Sequence, residues 1–207
     1  MNMATIATQK IAEFIEAKTQ VHCLSVAGNF DNDKKPSWLN MISNRGYKVW
    51  AEACISRDIV KKILKTTSEK IYDVWLGKCI YGSLMSGALG YNCQIGNVLA
   101  ALFIATGQDP AHVSEGSQGV TTTQLISQDL HISIYLPDLM VGTVGGGTGL
   151  ATQQEGLNLL GVAGGNQGKN ALELAGIVGG AVLAGELSLL ASLSEQSLSR
   201  AHERLGR

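Results

Sequence analysis

Two aspartates and two lysines stand together in the segment DNDKKP, residues 31–36. A lysine held on an ordered loop beside a carboxylate keeps its charge and can stabilise an oxyanion that develops on a reacting carbonyl. Adjacent lysines point in different directions, so Lys34 and Lys35 could act on two groups of one substrate, a carbonyl and a carboxylate. The same residues are also good turn chemistry, and a solvated surface turn is the alternative interpretation.

Three further positions have residue types suited to catalysis or binding. GTVGGGT, residues 142–148, is typical of a loop whose backbone N–H groups approach a phosphate, but it is neither GxGxxG nor a P-loop, and a tight turn also explains it. Asp109, in GQDP, is either a turn residue or a carboxylate tuned by a neighbouring lysine. His202 is either a surface residue or an imidazole that protonates a leaving group.

The charge balance excludes some partners. In 207 residues, 16 Lys and Arg stand against 17 Asp and Glu, a net charge of −1. That balance gives no electrostatic footprint for nucleic acid or an acidic membrane surface, so a small ligand or another subunit is the expected partner. His22, His112 and His131 have no paired spacing for a metal, and no metal site is expected.

The cysteines and the apolar segments indicate the compartment. Cys23, Cys54, Cys79 and Cys93 have no zinc or CxxC spacing, so buried free thiols in a reducing cytosol are expected rather than a disulfide. The N-terminus does not resemble a signal peptide. The apolar region 171–193 contains two glutamates and no aromatic belt, which favours a buried helix over a membrane span. A cytoplasmic chain is expected, with any membrane anchor upstream.

Hydrophobic periodicity predicts a mixture of helices and strands, hence an α+β fold. Helical spacing covers residues 4–18, alternation predicts a strand over 47–55, and 21–28 is a short β-type run. The other predicted elements are a short helix over 38–45, a helix capped by Ser56 or Asp58 and ending at Lys65, a helix over 92–106 ended by Gly107, a hairpin of 121–127 with 130–136, and helices over 153–160, 171–193 and 197–207.

Taken in order, the motifs resemble those of the catalytic domain of 3-hydroxy-3-methylglutaryl-coenzyme A reductases, closest to the class shared by eukaryotes, archaea and some bacteria. They are MNM at 1–3, GN..DKKP at 28–36, LKTT at 64–67, GKCIYGS at 77–83, GYN…N at 90–97, ATGQD at 105–109, GTVGGGT at 142–148, AGELSLLASL at 184–193 and LSRAH at 198–202. The resemblance covers essentially the whole chain.

This resemblance implies a particular architecture. The family's fold is an α+β arrangement in which a ferredoxin-like small domain is inserted into a helix-rich large domain, with the sites at a homodimer interface. Residues 1–25 are therefore expected to be the C-terminal remnant of the small NADP-binding domain, 26–37 the connecting catalytic loop, and 38–207 the large substrate-binding domain.

The resemblance also implies an activity, the reduction of hydroxymethylglutaryl-CoA to mevalonate and free coenzyme A by two NADPH. Lys34 resembles the lysine that stabilises the oxyanions. Asp109 resembles the buried aspartate coupled to that lysine and to a catalytic glutamate, and His202 the tail histidine that protonates the departing thiolate.

The expected ligands of the hydroxymethylglutaryl group are Asp33, Lys35, Lys78 and Asn97, with Leu189 packing against the substrate site. The expected coenzyme A contacts are Ile63, Leu64 and Lys65. The expected NADPH contacts are Asn2, Met3, Ser25, Val26, Ala27, Val144, Gly145, Gly146 and Gly147.

The chain departs from the family pattern in several places. Of the cofactor fingerprint GDAMGMNM it carries only the end, at residues 1–3. The catalytic glutamate, an arginine for the substrate carboxylate and the residues that read the 2′-phosphate are expected upstream, so NADH is not excluded as the cofactor. Ala27 replaces a serine, and Gln94 replaces a histidine, so it can hydrogen-bond but cannot titrate. The glutamates Glu13, Glu16, Glu52 and Glu186 lie outside the motif that would identify a substitute.

Three functions stay open at this point. The chain is the C-terminal part of a reductase that needs the missing segment, a non-catalytic remnant or assembly module, or an unrelated α+β oxidoreductase whose nine ordered motif matches are accidental. We expect the isolated chain to be inactive or poorly soluble, because loss of a proton donor typically costs about 10²–10⁴-fold in rate and missing strands leave open sheet edges.

Overall fold

The computed structural model describes residues 2–196 and residue 203, with the side chains described from residue 4 onward. The predicted C-terminal helix over 197–207, apart from residue 203, and with it His202, therefore lies outside the described residues. The chain divides into two compact units, residues 1–33 and 34–207. The domain boundaries implied by the family resemblance stay a prediction, as does the ferredoxin-like character of the N-terminal part.

The first unit is built on one helix. Helix α1 spans Asn2–Lys18, which confirms the predicted helix, and Lys18 in its last turn suits the negative end of the helix dipole. The short strand predicted over residues 21–28 is wrong, because this segment is irregular. A strand needs a neighbour for its backbone hydrogen bonds, and among the described residues of this unit α1 is the only regular element.

The second unit is centred on a three-stranded antiparallel sheet with the order β1-β3-β2. The strands are β1 (Tyr47–Ile55), β2 (Val120–Ile126) and β3 (Asp129–Leu139). Strands β2 and β3 form the predicted hairpin, with Ile126 paired to Asp129 across the turn. Strand β1 alternates between half-buried and exposed residues along its whole length, which confirms the strand predicted from its alternation.

Helices and short helical turns make up the rest of the second unit. The helices are α2 (Trp38–Ile42), α3 (Arg57–Ile59), α4 (Ser68–Trp75), α5 (Ser83–Ser86), α6 (Ile95–Thr106), α7 (Val113–Gly116), α8 (Ala151–Leu159) and α9 (Lys169–Ser194). Helices α3 and α4 continue into wider π-helical segments, Val60–Leu64 and Leu76–Gly82. Three 3₁₀ turns are Pro110–His112, Gly146–Gly149 and Asn166–Gly168.

The helix boundaries follow the capping signals in the sequence. The Ser56 side chain accepts a hydrogen bond from the Ile59 amide at the start of α3, and Thr67 does the same for the Lys70 amide at the start of α4. Gly107 ends α6 in the left-handed conformation, with φ 70°. The Ser56 cap and the Gly107 stop are thus confirmed as predicted, whereas α6 begins at Ile95 and not at residue 92, and α2 ends at Ile42 and not at residue 45.

Helix α9 is the central helix of the core. The segment Asn166–Ser194 is long and apolar enough to cross a membrane by length and composition alone, but 44% of its most apolar window is buried inside the protein. The helix packs against β1, β3, α4 and α6. Its buried residues, from Leu174 to Leu190, contribute to both hydrophobic clusters of this unit. The predicted helix over 171–193 is thus confirmed, and it packs as a core helix.

Two helical glycines give opposite predictions for stability. A Cβ at Gly156 of α8 would lie 2.8 Å from the Ala105 carbonyl oxygen, whereas a Cβ at Gly180 of α9 would meet nothing within 4 Å. Gly156→Ala should therefore lower the free energy of unfolding by about 1–3 kcal/mol, because the packing of α6 on α8 must open. The matched control, Gly180→Ala, should raise it by about 0.5–1 kcal/mol through helix propensity. Urea unfolding measures both, and equal effects would contradict the packing seen here.

Candidate functional site

The first residues of the second unit form a loop that is tied to its helices. Lys34 adopts a left-handed backbone, with φ 57°. Its carbonyl oxygen accepts a hydrogen bond from the Ser114 hydroxyl at 2.8 Å. The next carbonyl, that of Lys35, accepts one from the side-chain Nδ2 of the buried Asn40 at 2.7 Å. These contacts hold the backbone of the two lysines in place. They favour the ordered loop over the solvated surface turn, the two interpretations that the sequence left open.

Asp109 is positioned by the turn that ends helix α6. Gly107 stops the helix, and two residues later Asp109 caps the 3₁₀ turn Pro110–His112 by accepting a hydrogen bond from the Ala111 amide at 3.0 Å. The proline fits the first position of such a turn because it needs no N–H donor there. The carboxylate therefore has one oxygen held by backbone, which orients the other.

The structure brings Lys34 and Asp109 together. Lys34 Nζ lies 2.8 Å from Asp109 Oδ2, with 35% and 37% of the two side chains exposed. The hydrogen bond from Lys34, and after it the Ala111 amide, lower the pKa of the Asp109 carboxyl below its ordinary value. The family resemblance implies a buried aspartate, and here the side chain is partly exposed because its turn lies at the surface of the described chain.

A buried polar network lies behind this ion pair. Glu115 has no exposed surface, and its carboxylate accepts hydrogen bonds from Arg45 Nη1 at 2.9 Å, from Asn40 Nδ2 at 3.3 Å and from His112 Nδ1. The other ring nitrogen of His112, Nε2, lies 4.0 Å from Asp109 Oδ2. Sequence reasoning missed Glu115 and Arg45 and gave His112 no role, although a Glu three residues after a His in one turn is a signal for such a pair.

A second buried carboxylate holds the start of helix α6. Glu186 of α9 has no exposed surface and accepts hydrogen bonds from the amides of Cys93 and Gln94, at 2.9 and 2.6 Å, and from the Thr121 hydroxyl at 2.6 Å. The Gln94 side-chain amide donates to the Gly185 carbonyl at 2.6 Å. Gln94, at a position where the family resemblance implies a histidine, therefore serves here as a structural link between the start of α6 and helix α9.

The glycine loop lies beside the turn that carries Asp109. The Gln108 side chain accepts a hydrogen bond from the Gly142 amide at 2.8 Å and donates one to the Gly142 carbonyl at 2.9 Å. Gly107 and Gly147 pack backbone to backbone, since a Cβ at Gly107 would lie 2.4 Å from the Gly147 carbonyl group. Gly107 is therefore required twice, because its backbone lies against that of Gly147 and because it ends α6 with a positive φ.

The other predicted site residues lie at the following places in the second unit. Lys78 is exposed in the π-helical segment after α4, and Asn97 is exposed on the first turn of α6. Leu189 is half-buried on α9. Ile63 and Leu64 end the π-helical segment after α3, with Ile63 70% exposed, and Lys65 follows them in the left-handed conformation. Val144, 70% exposed, begins the part of the glycine loop that contains Gly145 and Gly146.

The predicted residues of the first unit are described on their own. The Asp33 amide donates to Asp31 Oδ1 at 2.9 Å, which makes a local Asx turn. The Ala27 amide donates to Ser25 Oγ at 3.1 Å, and Val26 lies between them. Asn2 and Met3 lie in the first turn of α1.

Within the second unit, Cys79, Cys93 and Glu186 place three potential metal-ligand atoms within 4.8 Å of one another. Neither cysteine belongs to the catalytic or ligand set that the family resemblance implies.

Comparison with known proteins identifies the family. A sequence model of the hydroxymethylglutaryl-coenzyme A reductase family matches residues 1–207. The chain is 50% identical over 211 residues to a 3-hydroxy-3-methylglutaryl-coenzyme A reductase of Pyrococcus abyssi, covering 100% of this chain and 52% of that protein. It is 47% identical over 212 residues to the one from Methanocaldococcus jannaschii, again 100% and 52%. A rice enzyme, 3-hydroxy-3-methylglutaryl-coenzyme A reductase 1, is 46% identical over 209 residues, or 98% and 39%.

The chain thus spans about half the length of the curated archaeal relatives it matches. The match of the family model runs from the first residue to the last, and it includes both partners of the Lys34–Asp109 ion pair. This confirms the resemblance seen in the motifs: the chain belongs to the hydroxymethylglutaryl-coenzyme A reductase family, a family of oxidoreductases.

Proposed function

We propose that this chain carries the electrostatic catalyst of a reductase that converts hydroxymethylglutaryl-CoA into mevalonate and coenzyme A with two NADPH. The observation that carries the proposal is the 2.8 Å contact between Lys34 Nζ and Asp109 Oδ2. Both residues lie in motifs of the family, and both side chains are open enough for a substrate to reach them. A solvated turn alone would not require a carboxylate 75 residues away to be fixed by its own backbone hydrogen bond.

In this proposal Lys34 stabilises negative charge on the carbonyl oxygen of the substrate. Each hydride that adds to the carbonyl carbon leaves that oxygen negative, and an ammonium group with three N–H donors can bind it. Asp109 orients the ammonium group and keeps its own charge at neutral pH, as its lowered pKa indicates. The pair therefore does not need to reorganise when the oxyanion forms.

The same proposal gives roles to the residues around the pair. Lys35 and Lys78 are cations suited to the free carboxylate of the substrate, and Asp33 and Asn97 can hydrogen-bond its hydroxyl and carbonyl groups. Leu189 supplies an apolar contact. The coenzyme A moiety is assigned to residues 63–65, where one exposed apolar and one exposed cationic side chain lie close in sequence.

A nicotinamide cofactor would supply the hydrides, and the glycine loop fits its approach. Gly145 and Gly146 both have positive φ, and a Cβ at either would meet nothing within 4 Å. A loop with this backbone borders open space, which lets a cofactor lie close to main-chain groups. We assign Val144–Gly147 to NADPH, together with Asn2, Met3 and residues 25–27, and we propose NADPH over NADH on the family's pattern.

Two proton transfers complete the proposed reaction. His202 would protonate the departing coenzyme A thiolate, so that the thiol cannot add back to the aldehyde. The acid that protonates the substrate oxygen would be a glutamate from a part of the protein outside residues 1–207.

A homo-oligomer with its sites at the subunit interface is part of this proposal.

The first prediction concerns the completeness of the catalytic set. We expect NADPH oxidation in the presence of hydroxymethylglutaryl-CoA only when the chain is extended upstream through the glutamate, because a missing general acid typically costs about 10²–10⁴-fold. Spectrophotometric assays of both forms at equal concentration test this. Turnover by residues 1–207 alone would show that another group replaces the glutamate. No turnover by a folded extended form would support a non-catalytic assembly module.

The second prediction concerns Lys34. In the extended protein, Lys34→Met should lower kcat by about 10²–10³-fold, since one preorganised oxyanion donor is lost. The matched control is Lys48→Met, which removes an exposed lysine of β1 that lies outside the family motifs and should leave kcat within a factor of two or so. If both variants retained full activity, Lys34 would be only a turn residue.

The third prediction concerns pH and follows from the sign of the Asp109 shift. The Asp109 carboxyl has a lower pKa in the folded state than its ordinary value of 3.8. It therefore stabilises the fold at pH values above 3.8, and this contribution is lost as the pH falls through the lowered pKa of the folded state. The difference in unfolding free energy between the wild type and Asp109→Asn should therefore be largest near neutral pH and shrink below about pH 4. Urea unfolding at several pH values measures it.

Lys34→Met provides the control for the pH prediction. Because the Lys34 hydrogen bond is the largest cause of the shift, Asp109→Asn should have a smaller pH-dependent effect in the Lys34→Met background. An identical pH dependence in both backgrounds would show that the ion pair does not form in solution.

A further inference from the structure

Two cysteine thiols outside the proposed reaction lie against each other in the second unit. The Sγ atoms of Cys79 and Cys93 are 3.3 Å apart. Cys79 has no exposed surface, whereas Cys93 is half-buried, so Cys93 is the more accessible member of the pair. The exposed cysteines, Cys23 and Cys54, have no such thiol partner among the described residues.

The fold fixes both thiols from their main chains. Cys79 lies in the π-helical segment Leu76–Gly82, which packs against the hydrophobic cluster around Ile71 and Leu190. Cys93, 14 residues further on, is held because its amide donates to the buried Glu186 carboxylate at 2.9 Å. The proximity of the sulfur atoms is therefore imposed by the core and by a hydrogen bond to a buried carboxylate.

A shared metal ion fits these positions less well than a bond between the sulfurs. Two thiolates on a tetrahedral zinc ion lie about 3.8 Å apart, given Zn–S distances of about 2.3 Å, and the observed separation is shorter. The nearby Glu186 carboxylate already accepts hydrogen bonds from Cys93, Gln94 and Thr121. A disulfide needs the sulfurs to approach to about 2.05 Å, which is about 1.2 Å closer than they lie here.

We propose that Cys79 and Cys93 are a redox-active dithiol that a peroxide oxidises to an intrachain disulfide. The Cys93 thiolate attacks one peroxide oxygen, the O–O bond breaks, and a sulfenic acid and hydroxide form. The Cys79 thiol then attacks the Cys93 sulfur, an S–S bond forms, and the sulfenic oxygen leaves as water after taking up the thiol proton. The two cysteines lose two electrons, and the peroxide is reduced to two molecules of water.

The environment of the pair makes its oxidation slow at neutral pH. The hydrogen bond with Cys79, and after it burial, raise the pKa of the Cys93 thiol, so that the reactive thiolate is scarce at neutral pH. The reaction should accordingly be faster at higher pH. The disulfide would join the π-helical segment that carries Lys78 to the start of α6 that carries Asn97. That consequence for substrate binding rests on the proposed function, but the disulfide itself does not.

The test uses the full 207-residue chain in two matched double variants. Cys23→Ser with Cys54→Ser keeps the buried pair, and Cys79→Ser with Cys93→Ser keeps the exposed cysteines. Each is treated with hydrogen peroxide, denatured, labelled with N-ethylmaleimide and weighed intact. The first variant should lose two hydrogens, stay monomeric and take up no label, and dithiothreitol should restore two labels. The second should show no monomeric species that has lost two hydrogens.

A measurement on the unmodified chain covers the case in which a variant fails to fold. Chymotrypsin cleaves after Tyr81 and Tyr91, which lie between the two cysteines, so a disulfide keeps the Cys79 and Cys93 fragments joined until reduction. Uptake of two labels after oxidation, addition of oxygen to separate thiols, or a crosslink between chains would overturn the proposal. None of these readouts depends on reductase activity, so a failure here is distinct from a failure of the proposed function.

Discussion

Glu115 and Glu186 have no exposed surface, and a carboxylate removed from water destabilises the fold unless donors replace the lost hydration. Each accepts hydrogen bonds from three donors, and several of these donors lie in segments beside the proposed site. Glu115 accepts hydrogen bonds from Asn40 and His112. Asn40 also donates to the Lys35 carbonyl, and His112 lies in the turn that Asp109 caps. Glu186 accepts hydrogen bonds from the Cys93 and Gln94 backbone amides, which directly precede α6. The need to satisfy two buried charges thus sets the backbone around the proposed catalyst.

The Lys34–Asp109 pair itself lies at the surface of the described chain. With about a third of each side chain exposed, water and salt screen the attraction, and such pairs contribute little to stability. The ion pair contributes mainly by positioning the Lys34 ammonium group, because its partner, the Asp109 carboxylate, is itself held by the Ala111 amide. The electrostatic effect on a reacting oxygen would grow when substrate excludes water from the pair.

Sequence patterns predicted those elements whose signals are local. The alternation of β1, the hairpin of β2 and β3, the Ser56 cap and the Gly107 stop all depend on residues within a few positions of one another. The segment 21–28 has β-type composition but no strand, because pairing depends on a neighbour and not on composition. The π-helical segments after α3 and α4 were likewise not predicted, since one extra residue per turn leaves no distinct pattern.

The sequence by itself determined the family, because nine motifs in order carry that information without any contact being known. It also determined that Lys34 and Asp109 have the right chemistry. Only the tertiary structure decided that they touch, that Glu115 joins Arg45 to His112, and that two cysteines predicted to be independent thiols lie 3.3 Å apart. Local preferences act over a few residues, whereas these contacts join residues from different elements, so only the packing of the core brings them together.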